Sequence, residues 1–430
     1  MLVRRLKQCA VVLVVLLIID AVYLLYTYRP SDIVAAAQAL DPRKLGMRAW
    51  LERVQEEDHV YTERQAHYLL NPTSLLKEIK NIQGSHKNST PGVVLLKTHK
   101  TGSSTLQNII LRYAILHNLT VAVPIYRASF LWPARFRSQF VKKEKDKLSY
   151  DVLAHHAILE KPEMAQVMKP TAKYITILRD PVALFRSAYQ YFNMNEFCFK
   201  EPIETFMKSE HYAEAASTAL CPLTKLPVRN MQAFDLGLQP GRMDDKAAVL
   251  DYIRYLDSVF SVVMITERFD ESLILLGKRL NWTIESLVYF TQNSQVKPVR
   301  MMFDQNGSRY RAVDEHIRAF NSADELIYKH FYDKLNKELA LEFTPSALKY
   351  EVNKLRSLRE RYYDDCVLKQ TADSRYFIRE NQVFRPYGGF TKGYILKPQS
   401  LYNVTCRLLT LPELFLTQYL KSRAKYQFPV

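Results

Sequence analysis

The chain has 430 residues, 60 Lys and Arg against 44 Asp and Glu, and a formal net charge of +16. Such a basic surface attracts nucleic acid, anionic membranes or anionic small molecules. No zinc-finger or RNA-binding signature occurs, no C-x-x-C pair exists, and Cys and His show no zinc spacing, so no nucleic acid and no metal is expected.

Arg4, Arg5 and Lys7 precede an apolar stretch from Cys9 to Tyr28, long enough to span a bilayer. Asp20 is its one charge, at a cost of about 2.5–3.5 kcal/mol, against about 0.3–0.6 kcal/mol returned by each Leu, Ile or Val. The stretch holds 12 such residues, so insertion wins. Positive charge on the N-terminal side predicts a cytoplasmic tail and a lumenal body. Residues 1–28 therefore read as tail and signal anchor, in preference to a cleaved leader, which would be shorter and followed by small residues. Residues 29–90 read as a helical stem that ends in a Gly, Ser, Asn and Pro-rich loop.

Val93-Val94-Leu95-Leu96 reads as a short buried strand, followed by the polar loop Lys97-Thr98-His99-Lys100-Thr101-Gly102-Ser103-Ser104-Thr105. Leu106 to Ala114 then carries helical spacing. Strand, hydroxyl-rich loop and helix N-terminus make an anion cradle, because loop and first-turn amides converge where the helix dipole favours negative charge. The triphosphate loop G-x-x-x-x-G-K-[ST] is absent, since Lys100 precedes Gly102. The order K-T-G-S-S-T instead resembles the 5′-phosphosulfate loop of sulfotransferases, which use 3′-phosphoadenosine-5′-phosphosulfate (PAPS). That resemblance implies phosphate contacts from Thr101, Gly102, Ser103, Ser104 and Thr105, with Lys100 beside the leaving oxygen. Lys97 either joins them or caps the strand end.

Further strands are expected over Val121–Val123, Val152–His155, Tyr174–Leu178 and Val259–Thr266, alternating with helical patterns. This alternation argues for a parallel sheet wrapped by helices. Tyr174–Leu178 ends in Arg179-Asp180-Pro181, where Asp180 suits a helix N-cap and Pro181 the first helical position. Arg179 thus sits at a strand's carboxyl end, where open α/β sheets bind ligands, and Ser187 follows eight residues on. The pair resembles the 3′-phosphate motif of the same enzymes. The chain beyond about Ala319 reads as a helical and loop appendage.

Lys97-Thr98-His99-Lys100-Thr101, His117-Asn118-Leu119-Thr120, His155-His156, Leu178 to Val182, Phe234-Asp235-Leu236-Gly237 and Glu267 to Leu273 together resemble the galactose-3-O-sulfotransferases, from about Val93 to Pro412-Glu413. The resemblance implies an α/β, P-loop-like sulfotransferase fold over 91–430, a central parallel sheet flanked by helices behind the anchor and stem. It implies PAPS as co-substrate, a galactose-terminated glycolipid or glycan as acceptor, and attachment to the Golgi membrane through one span.

A histidine or carboxylate base is implied without fixing which. His156 is preferred and His155 stands behind it, because a strand turns successive side chains to opposite faces and histidine titrates near neutrality. His99 is expected to shape the loop. Asp235 and Glu267 suit sugar binding, a cap or an ion pair equally. Sequons stand at Asn88, Asn118, Asn281, Asn306 and Asn403. Outside the span, Cys198, Cys221, Cys366 and Cys406 allow three pairings, of which nearness in sequence favours 198–221 with 366–406. Oligomeric state is not legible.

Overall fold

The computed structural model describes residues 91–125, 129–142, 149–208, 221, 227–294, 308–371 and 392–426. The expected anchor and stem, and the sequons at Asn88 and Asn306, lie outside them. No helix of the described residues is long and apolar enough to cross a membrane. All described residues belong to the unit Tyr68–Val430.

Five strands form one sheet: β1 Val93–Leu96, β2 Val121–Ala122, β3 Val152–Leu153, β4 Lys173–Leu178 and β5 Phe260–Ile265. Their order is β2-β3-β1-β4-β5, and every neighbouring pair is parallel. Val93 sits opposite Val152 on one side and Lys173 on the other, so β1 is the central strand. A central parallel strand is covered on both faces, which is why all four β1 residues are apolar and buried. The strands before β4 lie to one side of β1, and β4 and β5 to the other. The carboxyl end of β1 is therefore the switch point at which such sheets open a crevice.

Helix α1, Ser103–Leu116, leaves that crevice and is buried along most of its length. Helix α2, Pro181–Tyr191, follows β4. Asp180 caps it, accepting from the Ala183 amide at 3.0 Å, and Pro181 holds its first position. Beyond two four-residue helices, Met194–Phe197 and Ile203–Phe206, lie the five-residue helix α3, Met231–Asp235, then α4, Lys246–Val259, which leads into β5, and α5, Phe269–Leu280, which leaves it.

Long helices α6, Ser322–Glu342, and α7, Pro345–Cys366, follow. Ala323, Ile327, Phe331, Leu335 and Leu339 recur at helical spacing on α6. They join Val94, Leu178, Leu256 and Ile265 in the main core. The region beyond Ala319 is thus part of the core and not an appendage. An antiparallel ribbon, β6 Val367–Thr371 with β7 Gly393–Leu396, precedes α8, Val404–Thr410, and α9, Glu413–Tyr426. Both of these last helices pack against α1.

The disulfides Cys198–Cys221 and Cys366–Cys406 are the pairs favoured by nearness in sequence. The second fastens the end of α7 to α8. Asn118, Asn281 and Asn403 are exposed, as sequons must be to carry glycans.

Candidate functional site

The sheet extends one step past β1, through parallel bridges from Lys97 to His156 and from His156 to Ser129. The loop that follows is tied from inside. Thr98 Oγ1 donates to the Ile177 carbonyl at 2.6 Å and shares a 2.8 Å hydrogen bond with Thr101 Oγ1. Ser103 Oγ donates to the Thr98 carbonyl at 2.5 Å, and Thr105 Oγ1 accepts from the Gln292 amide at 2.9 Å.

The hydroxyl protons of Thr98, Thr101 and Ser103 are therefore spent within the protein. Ser104 Oγ spends its proton too, donating to Glu413 Oε2 at 3.0 Å and accepting from Asn293 Nδ2 at 3.2 Å, which leaves the backbone amides to face an anion. The Ser103 and Ser104 amides, in the first turn of α1, have no intrahelical acceptor. No acidic residue stands in that turn to satisfy the dipole. Gly102 has φ +77°, a conformation that favours glycine. The direction a Cβ would take meets only Thr266 Cγ2 at 3.9 Å, which leaves room for an anion against the backbone.

Cations converge on this cradle. Lys100, itself at φ +59°, carries its Nζ 3.4 Å from the centre of the Tyr191 ring. Arg179 Nη1 donates to the Lys100 carbonyl at 3.0 Å, so the two segments expected to hold phosphate meet. Gln232 clamps the Arg179 backbone, accepting from its amide at 2.8 Å and donating to its carbonyl at 3.0 Å. Ser187 is buried and lies one turn before Tyr191, whose ring meets Lys100.

Burial, then the charges of Arg179 and Lys97, bring the Lys100 ammonium down from 10.5 to about 7. Burial also lowers Arg179. A bound phosphate would restore the charged form of Lys100. Binding of adenosine 3′,5′-bisphosphate is therefore expected to take up a proton above about pH 7, and the affinity to fall as pH rises through that value. Calorimetry in buffers of different ionisation enthalpy measures this uptake. The same uptake in Lys100→Met would refute the assignment.

The two consecutive histidines face opposite ways, as a strand requires. His155 is fully buried, with Nε2 2.8 Å from Thr417 Oγ1 of α9, and burial drives it down to about 3. It lies behind the site. His156 faces the site, but both its nitrogens are occupied. Nδ1 is 3.0 Å from the Lys97 carbonyl and Nε2 is 2.9 Å from Lys97 Nζ. Only one tautomer fits, with Nδ1–H donating and Nε2 accepting. Burial, then His99 and Lys97, hold it well below its ordinary range.

His99 has the arrangement expected of His156. Its Nδ1 lies 2.9 and 3.1 Å from the two Asp235 oxygens, and its amide donates to Asp235 Oδ2 at 2.7 Å. The carboxylate fixes the proton on Nδ1 and leaves Nε2 as the accepting nitrogen, the geometry of a general base. The ring stacks on His156 with centroids 4.0 Å apart and an interplanar angle of 15°. Trp132 lies 4.3 Å away on His99 and donates Nε1–H to Asp235 Oδ1 at 2.9 Å.

Helix α3 delivers both Gln232 and Asp235. Asp324 of α6 caps it, accepting from the Gln232 and Ala233 amides at 3.1 and 2.7 Å. Glu267 accepts from the Asp180 amide at 3.0 Å and from Tyr328 Oη at 3.1 Å, a role in holding α2. Lys97 does more than cap a strand. Its buried ammonium is 2.7 Å from Glu413 Oε2, at the start of α9. Burial raises the Glu413 carboxyl, but the charge of Lys97 and hydrogen bonds from Lys97 and Ser104 outweigh it and hold the group below its usual value. Among the described residues, no cluster of three or more His, Cys, Asp or Glu is placed to hold a metal ion.

The family model described as galactose-3-O-sulfotransferase matches residues 3–424. Galactose-3-O-sulfotransferase 3 of Bos taurus is 32% identical over 357 residues, covering 77% of this chain and 78% of the relative. Galactose-3-O-sulfotransferase 2 of Homo sapiens is 30% identical over 347 residues, covering 78% and 84%. Galactosylceramide sulfotransferase of Bos taurus is 30% identical over 339 residues, covering 76% and 77%.

Proposed function

We propose that this chain, which belongs to the galactose-3-O-sulfotransferase family, transfers the sulfuryl group of PAPS to the 3-hydroxyl of a terminal galactose on a glycolipid or a glycoprotein glycan. The observation that carries the reading is one place, the carboxyl end of β1. Lys97, Lys100 and Arg179 gather there beside the His99–Asp235 pair.

His99 Nε2 takes the proton of the galactose hydroxyl, and Asp235 stabilises the imidazolium that results. The hydroxyl oxygen bonds to sulfur as the bond from sulfur to the 5′-phosphate oxygen breaks. Lys100 and the first-turn amides of α1 offset the charge that appears on that phosphate. Arg179 and Ser187 take the 3′-phosphate. Trp132, pinned by Asp235, offers a ring to the apolar face of the sugar. His156 is a positioning residue that supports His99 from beneath.

Two disulfides among the described residues, exposed sequons and the apolar stretch Cys9–Tyr28 support a lumenal catalytic unit on a type II Golgi anchor. Relatives acting on glycolipid and on other galactosides are about equally similar, so both acceptor kinds belong in the test. Full-length chain with labelled PAPS is expected to sulfate galactosylceramide, lactosylceramide or an N-acetyllactosamine-ended glycan, with NMR of the product placing sulfate on the galactose 3-oxygen. Adenosine 3′,5′-bisphosphate should raise the melting temperature more than ATP or UDP does. Sulfate on another sugar position, or no transfer to any galactoside, would overturn the reading.

A further inference from the structure

We propose that Glu413 is a positioning residue for the transfer and acts by fixing the ammonium of Lys97 in the donor cradle. The inference rests on the sulfuryl-transfer reading above. An ammonium has three N–H donors on a flexible four-carbon stem. In Lys97 one donor meets Glu413 Oε2 at 2.7 Å and another meets His156 Nε2 at 2.9 Å. The backbone of the same residue is held by His156 Nδ1 on its carbonyl. With two donors and the main chain clamped, the third N–H has one direction left.

The same carboxylate oxygen accepts from Ser104 Oγ at 3.0 Å, so Glu413 spans the two ends of the loop, the lysine before it and the first turn of α1 after it. Its own backbone is held in turn, because Thr417 Oγ1 donates to the Glu413 carbonyl at 2.7 Å.

A carboxylate beside a phosphate-binding loop is costly, because it repels the dianion that the loop should attract. A site that keeps one gains something that outweighs the loss. The geometry points to placement of the lysine, since a misplacement of about 1 Å near a reacting centre can cost about 10²-fold in rate. The competing account is that Glu413 only fills the phosphate position until donor arrives, and it predicts a different outcome.

The test compares wild type, Lys97→Met, Glu413→Gln and the double variant, full length, with saturating PAPS and a galactoside. Glu413→Gln keeps the length and removes the charge. It is expected to lower kcat about ten- to a hundredfold while the donor KM changes less than about threefold. Lys97→Met should lose at least as much. The double variant should fall no more than about twofold below Lys97→Met, because the effect of Glu413 on turnover runs through Lys97 and its bond to Ser104 adds little.

Wild-type kcat in Glu413→Gln, effects that multiply in the double variant, or a donor bound tenfold tighter at unchanged kcat would each overturn the proposal. Should Glu413→Gln not fold, Glu413→Asp replaces it, with the charge retained one methylene short and an intermediate kcat expected. Should wild type sulfate no galactoside, the proposed function fails. Glu413 is then judged on affinity for adenosine 3′,5′-bisphosphate in the same four proteins. An effect of Glu413→Gln that persists on the Lys97→Met background would overturn the placement role independently.

Discussion

Replacing Lys100 with alanine is expected to lower turnover by about 10²–10³-fold, the loss typical of removing one preorganised donor from a site of developing charge. Three features make Lys100 the residue with most to lose. Its backbone stands at φ +59°, between Lys97 and the first turn of α1. Its carbonyl is held by Arg179, which ties this point of the loop to the end of β4. Its ammonium is buried over Tyr191, where a charge interacts more strongly than in water.

Lys100→Met separates charge from bulk, because it fills the same space over Tyr191 without a cation. Single-turnover measurement with bound PAPS reads the chemical step directly. Both variants should lose that step while acceptor binding stays near wild type. A Lys100→Met enzyme with wild-type single-turnover rate would remove Lys100 from the chemistry.

The second large effect is expected at His99. His99→Ala should lower kcat by about 10²–10⁴-fold, the range of a lost general base, while bisphosphate binding survives. Asp235→Asn should follow it in direction. An amide in that place can turn its NH2 toward Nδ1, which moves the imidazole proton to Nε2 and blocks the accepting nitrogen.

His156→Ala is expected to lower turnover as well, because it releases Lys97 and the stacked face of His99. Chemical rescue tells the roles apart. Added imidazole should restore part of the rate to His99→Gly, whose cavity opens on the reacting hydroxyl, and none to His156→Gly. Rescue of His156→Gly alone would exchange the two assignments.

Much of the site was legible because its core is local. The run Val93–Leu96, the loop and α1 are consecutive, as are β4, Asp180 and α2, and each segment follows from period, cap and proline placement. What remained hidden depends on distance along the chain. His99 and Asp235 are 136 residues apart, and Lys97 and Glu413 are 316 apart. Read locally, Asp235 is the last residue of a short helix and Glu413 the first of another, so both look like ordinary helix-end carboxylates.

The hydroxyl run misleads for the opposite reason. Ser and Thr bond readily to nearby backbone, and here Thr101 and Ser103 both reach the Thr98 carbonyl of their own loop, while Thr98 turns to the Ile177 carbonyl of β4. The region past Ala319 reads as an appendage because a catalytic stretch of about 340 residues exceeds a usual single core. The stripe from Ala323 to Leu339 is narrow, yet it reaches the core beneath the sheet.

The position of α9 sets the order in which a newly made chain becomes competent. The anion loop is synthesised first, and the last strand of the sheet is complete at Ile265. The partner of His99 comes at residue 235, Asp324 that caps its helix comes later, and the partner of Lys97 arrives only at 413. A growing polypeptide can therefore assemble its whole parallel scaffold while still inert. Contacts of such wide separation close late. A frameshift or premature stop shortly before α9 would leave every strand intact and remove a side chain from the heart of the donor cradle.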